Sequence, residues 1–324
     1  DHEYALSGAL KKQGYRVKML PKPDSRELEY GRKYSEGGEC LPFVVTTGQF
    51  VKLIKNKNGF DPQSSALFMP TSSGPCRFGQ YHMAQKMILQ ELGYEIDLIS
   101  LEAYEAYNID GLGMRFRRLA WHGLVAIDFL QKLLWNNRPY ELNEGETEQL
   151  YENSLEIIED SMAEDGIKGV VNSLESIVEK FDSIETVSTK DRPIVGIVGE
   201  IYVRHNDFCN RGIAKTIEGL GGEVRIAPVS EWFYYTNRKQ IQDGWRDRDF
   251  MDIIEGKAKD IVQGFDERKI RNNFNNLLDE SDLHEPKVTD LAKNSEPYIS
   301  EAYRGEPILE IGKAIDFAKN NASG

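Results

Sequence analysis

Residues 64–101, SSALFMPTSSGPCRFGQYHMAQKMILQELGYEIDLISL, hold the pattern that decides the fold. Residues 64–70 are a short apolar run closed by proline, which predicts a buried strand. Residues 79–93 carry apolar side chains on a helical period between two glycines, which predicts an amphipathic helix. EIDLISL (95–101) predicts a second strand. Two strands separated by a single helix make a parallel pair, because the crossover helix returns the chain to the same end of the sheet.

The same alternation extends outward. Residues 3–13 predict a helix ended by Gly14, and RVKML (16–20) predicts a strand. In GGECLPFVVTTGQFVKLIKNKNG (37–59) the spacing of Phe50, Leu53 and Ile54 is helical, with Gly59 as terminator. From 106 to 190 the pattern changes. RFRRLAWHGLVAIDFLQKLLW and two acidic stretches up to Phe181 predict a helical insert or cap. From Pro193 alternation resumes: PIVGIVGEIYV as strand, RGIAKTIEGLGG as helix, EVRIAPVSEW as strand, a charged helical region over 246–283, and a last helix in GEPILEIGKAIDFAKNNASG. The expected architecture is α/β, with parallel-sheet domains at 1–105 and 191–324 and the helical insert 106–190 between them. The opening Asp1-His2-Glu3, without Met, reads as an internal start. A last helix with no following strand makes the second domain read as truncated at Gly324.

The chain has 324 residues, 40% hydrophobic and 29% charged, enough to bury a core in about two domains of roughly 100–200 residues. The longest apolar candidate, around Leu124 to Leu134, is cut by Asp128, Gln131 and Lys132, so no membrane span is expected. A net charge of −13 opposes a nucleic-acid partner or an anionic membrane surface, since phosphate binding needs a clustered positive field. Three cysteines are too few for a disulfide framework and favour a reducing, cytoplasmic compartment. No G-x-x-x-x-G-K-[ST], H-E-x-x-H or C-x-x-C occurs, and GLGMRF completes no dinucleotide fingerprint.

All three cysteines fall on loops that enter helices. In Gly37-Gly38-Glu39-Cys40-Leu41-Pro42, free backbone N–H groups and the helix dipole favour a thiolate. A buried apolar cysteine is the plainer alternative. The loop Thr71–Gln80 follows the strand at 64–70, where open α/β sheets bind ligands. It contains Gly74, Cys76 and the thiolate-stabilising Arg77, with His82 beyond as a base or an ordinary packed histidine. The third stretch, Glu200-Ile201-Tyr202-Val203-Arg204-His205-Asn206-Asp207-Phe208-Cys209, is either functional or a capping loop with solvated charges. The candidate residues are Glu39, His82 and Glu200 for acid–base chemistry, Gly74, Arg77 and Arg204 for cofactor contact, and Cys40, Cys76 and Cys209 for metal ligation. Thiolates converging from separate loops suit iron–sulfur ligation. A Cys/His nucleophilic pair, with His82 or His205 as base, is the rival.

GGECLPFVVTTGQF, SSGPCRFGQYH and IVGIVGEIYVRHNDF, in this order, resemble the iron–sulfur component of 2-hydroxyacyl-CoA dehydratases. They are closer still to relatives fused to, or encoded with, a sugar-kinase-like activating ATPase, the acyl-CoA dehydratase activase-related proteins. The resemblance implies flavodoxin-like domains with a [4Fe–4S] or double-cubane cluster held by interface cysteines. It also implies a partner that hydrolyses ATP and delivers one low-potential electron, in anaerobic metabolism. In the true dehydratases that electron turns an acyl-CoA thioester into a ketyl radical, which lets the hydroxyl group leave. Many relatives have no assigned substrate, and the resemblance suits a reductase of another small molecule as well as a dehydratase. Cys40 and Cys76 match ligand positions of the family, Cys209 falls on the third motif, and a further ligand is expected beyond Gly324. A fragment without it carries an incomplete ligand set, can be cluster-free, and is expected to be inactive alone. A cluster-free module that docks the ATPase is the other reading, and the resemblance leaves room for a homodimer.

Overall fold

The computed structural model describes residues 1–56, 60–72, 74–100, 112–187 and 191–321. Gly59, Leu101, Gly324 and the first residues of the expected insert lie outside the described residues. In chain order the elements are α1 (Glu3–Lys12), α2 (Ser25–Lys33), α3 (Leu41–Asn56), β1 (Ala66–Phe68), α4 (Tyr81–Glu91), β2 (Asp97–Ile99), α5 (Met114–Asn137), α6 (Glu146–Asp165), α7 (Ile167–Asp182), β3 (Ile194–Ile197), α8 (Ile201–Arg204), α9 (Asp207–Asn210), α10 (Ile213–Gly219), β4 (Glu223–Ile226), α11 (Ser230–Asp247), α12 (Phe250–Arg271), α13 (Glu280–Leu283), α14 (Val288–Ser295) and α15 (Pro307–Asn321). Short 3-10 turns lie at Arg77–Gln80, Arg138–Tyr140 and Asn272–Phe274.

The chain is mixed α/β, with helices predominating. Among the described residues there are two sheets, each a parallel pair: β1 with β2, in register Ala66 to Asp97, and β3 with β4, in register Ile194 to Glu223. The strands are shorter than the runs that predicted them. No described helix is long and apolar enough to cross a membrane.

The chain forms two compact units that cut across the contiguous blocks 1–105, 106–190 and 191–324. One unit is Asp1–Met19, Met114–Gly199 and Ile213–Gly324; the other is Leu20–Gly113 with Glu200–Gly212. The first helix therefore belongs with the later helices, and the third cysteine loop belongs with the first two. Two local expectations are corrected. Residues 16–20 form no strand, since alternation signals an extended chain but a strand needs a hydrogen-bonded neighbour, and β1 and β2 take each other. Residues 201–203 are helical, because the Glu200 carboxylate accepts from Val203 N at 2.8 Å and caps α8.

In the larger unit, α5 is mostly buried, and two of its interrupting polar residues, Asp128 and Lys132, are paired. Asp128 accepts from Val229 N at 3.0 Å and Ser230 N at 2.9 Å, capping α11 from a neighbouring helix, and meets His2 Nε2 at 2.9 Å. Lys132 donates to Asp282 O at 2.5 Å and pairs with Glu285 at 2.6 Å. Gly196 of β3 lets α15 close in: a Cβ there would stand 2.3 Å from the Phe317 ring.

The smaller unit is built on the α2–α3 hairpin. Asp24 and Glu27 form a capping box, Asp24 Oδ1 accepting from Arg26 N at 2.7 Å and Glu27 Oε2 from Asp24 N at 2.9 Å. Lys52 on α3 then ties to the buried Glu27 at 2.6 Å. The two helices cross almost backbone on backbone: a Cβ on Gly31 would meet Val44 O at 1.8 Å, and one on Gly48 would meet Glu27 O at 1.8 Å. Phe43, Phe50, Val51, Ile54, Leu67, Tyr81, Leu89 and Ile96 make the core of this unit, so α3, β1, α4 and β2 share one apolar centre.

Candidate cysteine site

All three cysteines are free thiols and belong to the smaller unit: Cys40 and Cys209 are half-buried, Cys76 exposed. Cys40 immediately precedes α3, and its carbonyl accepts the first helical bond from Val44 N at 3.2 Å. Glu39 shapes this approach. Its carboxylate accepts from Glu36 N and Gly37 N, each at 2.9 Å, and these backbone donors, Glu36 first, hold its pKa below the ordinary carboxylate value. Its oxygens are thus engaged by its own loop.

Cys76 caps the 3-10 turn that leads into α4, its carbonyl accepting from Gly79 N at 3.2 Å. The turn at Gly74, with φ of 107°, needs the left-handed region that glycine reaches without strain. Thr71 Oγ1 donates to Gly79 O at 3.1 Å and folds the loop onto the turn. Arg77 joins the two cysteine loops, donating to Gly38 O at 2.6 Å and to Cys40 Sγ at 3.2 Å.

Tyr81, the first residue of α4, is buried at the middle of this arrangement. Its ring meets Phe43 edge-on at 5.3 Å and Phe78 at 5.4 Å, and its hydroxyl donates to the Cys40 sulfur. Burial drives its pKa well above the ordinary phenol value, and the neighbouring Cys40, Cys76 and Glu200 push the same way. Tyr81 stays a neutral donor. Sequence reasoning missed this residue, although a signal existed: Tyr81, Gln85 and Leu89 fall on one helical stripe, and all three are buried. Gln85 Nε2 on that stripe donates to Thr46 Oγ1 on α3 at 2.9 Å, fixing the two helices together.

The third loop closes the group through Glu200. Crowding by protein raises the Glu200 pKa, against the lowering effect of the Val203 and Tyr202 N–H groups and of Arg204. Arg204 is buried, its carbonyl accepting from Asn210 Nδ2 at 3.1 Å. Asn206 caps α9, accepting from Cys209 N at 3.0 Å. Burial, then the Glu200 charge, pushes the Cys209 thiol up to about 11, so it is neutral at ordinary pH. His82 is half-buried, one residue beyond Tyr81 and so turned about 100° from it on the helix. Its Nδ1 has no hydrogen-bond partner among the described residues.

The structure therefore brings Cys40, Arg77 and Tyr81 into direct contact and sets Cys76 and Glu200 within electrostatic reach of Tyr81. Cys209 is linked through Glu200. Among the described residues, no three His, Cys, Asp or Glu side chains form a group placed to hold a metal ion. The chemistry of the donor set still suits a thiolate-bound cluster. Cys40 and Cys76 supply sulfur from helix-entry loops, and Arg77 and Tyr81 supply hydrogen bonds to sulfur. Compared with family models, curated proteins and solved structures, the chain matches none.

Proposed function

We propose that the smaller unit is the iron–sulfur component of a system resembling the 2-hydroxyacyl-CoA dehydratases or the related ATP-dependent reductases. One observation carries the reading: the helix-entry loops of Cys40 and Cys76 are tied by Arg77, whose guanidinium donates to Gly38 O and Cys40 Sγ, while Tyr81 donates to the same sulfur. Donors aimed at a sulfur are what tune a low-potential thiolate-bound cluster. Cys40 and Cys76 would hold the group, with Cys209 as a third thiol. When bound, the group supplies one-electron chemistry. The chain's own residues orient the sulfurs: Cys40 packs against the core that holds Phe43, Phe78 and Tyr81, while Cys76 stays exposed. A flavodoxin-like ancestry for both parallel units, a cytoplasmic setting, an ATP-hydrolysing activator of sugar-kinase-like fold and an acyl-CoA or other small-molecule substrate belong to the same proposal.

The test is anaerobic reconstitution, with ferrous iron and sulfide, of the full-length protein, in which the further ligand is expected. The expected result is a brown protein with stoichiometric iron and acid-labile sulfide, lost in Cys40→Ser and in Cys76→Ser. A folded, colourless and iron-free full-length protein after reconstitution refutes the reading. Retained affinity of that iron-free chain for the ATPase would then mark a cluster-free docking module.

A further inference from the structure

β4 has two rows of backbone hydrogen-bonding groups, and the fold uses one of them. Glu223 N donates to Pro193 O at 2.9 Å and Ala227 N to Ile197 O at 3.2 Å, so Glu223, Arg225 and Ala227 make the ladder with β3. The N–H and C=O groups of Val224 and Ile226, one residue out of phase, point away from β3. Among the described residues these groups have no hydrogen-bond partner, although Val224 is only 1% exposed and Ile226 6%. Backbone groups taken out of water are nearly always paired, so an unpaired buried edge implies a partner that the chain itself does not supply. The edge borders a cavity of about 250 Å³ in the larger unit, walled by Trp135 of α5, Asp282 of α13 and Phe317 of α15.

Shape and hydrogen bonding define what fits. Val224 C=O and Ile226 N–H face the same side of the strand, an acceptor beside a donor, and match a molecule that carries an N–H next to a ring nitrogen. Trp135 and Phe317 supply flat apolar surface for a planar ring. The volume lies below the ~300 Å³ at which drug-sized pockets begin, which suits one ring system rather than an added peptide strand. Charge narrows the class further. Lys132 meets Glu285 at 2.6 Å, and Lys313 lies between Glu285 and, at 3.7 Å, Glu231. Arg225 lies between Asp279 at 3.1 Å and Asp282 at 3.3 Å, and His284 stands 3.4 Å from Glu280. The three permanent cations of the wall are therefore matched. Asp316, half-buried on α15, makes no hydrogen bond or ion pair among the described residues, so the unmatched charge is negative. N–H and O–H donors are favoured beside it, and a phosphate is opposed. We propose that this cavity binds an unphosphorylated adenine-type purine nucleoside. Its exocyclic amino group donates to Val224 O, a ring nitrogen accepts from Ile226 N, and a sugar hydroxyl donates to Asp316. The inference concerns the larger unit and is independent of the iron–sulfur reading.

Proton–nitrogen NMR of the deuterated whole chain, titrated with adenosine, tests it. The Ile226 amide should move downfield and exchange more slowly, and should move further than the Arg225 amide, which is already bonded to β3. Indole, a flat ring without the paired donor and acceptor, should leave Ile226 unmoved. Adenosine monophosphate should bind at least ~10-fold more weakly than adenosine, because its phosphate meets the carboxylates of the wall. Asp316→Ala removes no described bond, so its helical circular dichroism should match wild type, while adenosine binds several-fold more weakly and loses part of its lead over the monophosphate. An Ile226 amide indifferent to millimolar adenosine, an equal response to indole, or a monophosphate that binds as tightly as the nucleoside would each overturn the proposal.

Discussion

Replacing Gly48 by alanine sets two opposed effects of known size against each other. Gly48 lies inside α3, where Gly→Ala gains about 1 kcal/mol of helix propensity. The new Cβ, however, would stand 1.8 Å from Glu27 O, 2.6 Å from Glu27 C and 2.9 Å from Gly31 N. All three are backbone atoms of α2, so no side chain can rotate away. Relief requires α2 and α3 to separate by roughly 1.5 Å, and overpacking of this kind costs typically 1–3 kcal/mol, more when backbone must move. The separation also stretches the Lys52–Glu27 pair, now 2.6 Å, whose carboxylate is buried. Sterics win, and a net loss of about 2 kcal/mol is expected in urea denaturation followed by circular dichroism. Gly38→Ala is the control: nothing lies within 4 Å of its added Cβ, and it should be near neutral. If Gly48→Ala is as stable as wild type, or gains the propensity term, the close α2–α3 crossing that sets Cys40 at the head of α3 is wrong.

Alkylation should separate the thiols. The exposed Cys76 should react with iodoacetamide first, whereas Cys209, its thiol pushed up to about 11, should stay unlabelled near pH 8 until the chain unfolds; mass spectrometry of timed digests reads this, and early Cys209 labelling would contradict it. Glu285 should govern part of the acid limb of stability. Despite burial, Lys132 and Lys313 hold its pKa at about 2 against the ordinary 4.5, so its contribution is complete above about pH 4.5 and is lost as pH falls toward 2. The shift corresponds to about 3 kcal/mol. Glu285→Gln should therefore lower the unfolding free energy by about that amount at neutral pH, with the gap closing in acid, and a pH-independent gap would show that packing rather than charge is responsible.

What the sequence revealed and what it hid follow from the range of each interaction. β1, α4 and β2 were legible because each carries its own period and punctuation, and helix-entry loops could be named because caps and glycines act within a few residues. Residues 16–20 misled because alternation is local while strand pairing is not. Residues 201–203 misled in the opposite direction: their β-branched composition favoured a strand, and one capping carboxylate at Glu200 outweighed it. α11 escaped notice because its buried positions include Glu231, Asn237, Gln240 and Asp243, which break the apolar period. α12 shows the same inversion from outside, a clean apolar stripe that faces solvent. Hydrophobic period locates a helix but names only an apolar face, and whether that face meets the chain's own core is set by polar networks that no local window contains. The cysteine site divides likewise. Its thiols and Arg77 were visible as residue types at helix entries. Tyr81 was concealed as one more apolar position on α4, and only its packing against Phe43 and Phe78 discloses its hydroxyl as a donor to Cys40 within electrostatic reach of Cys76 and Glu200.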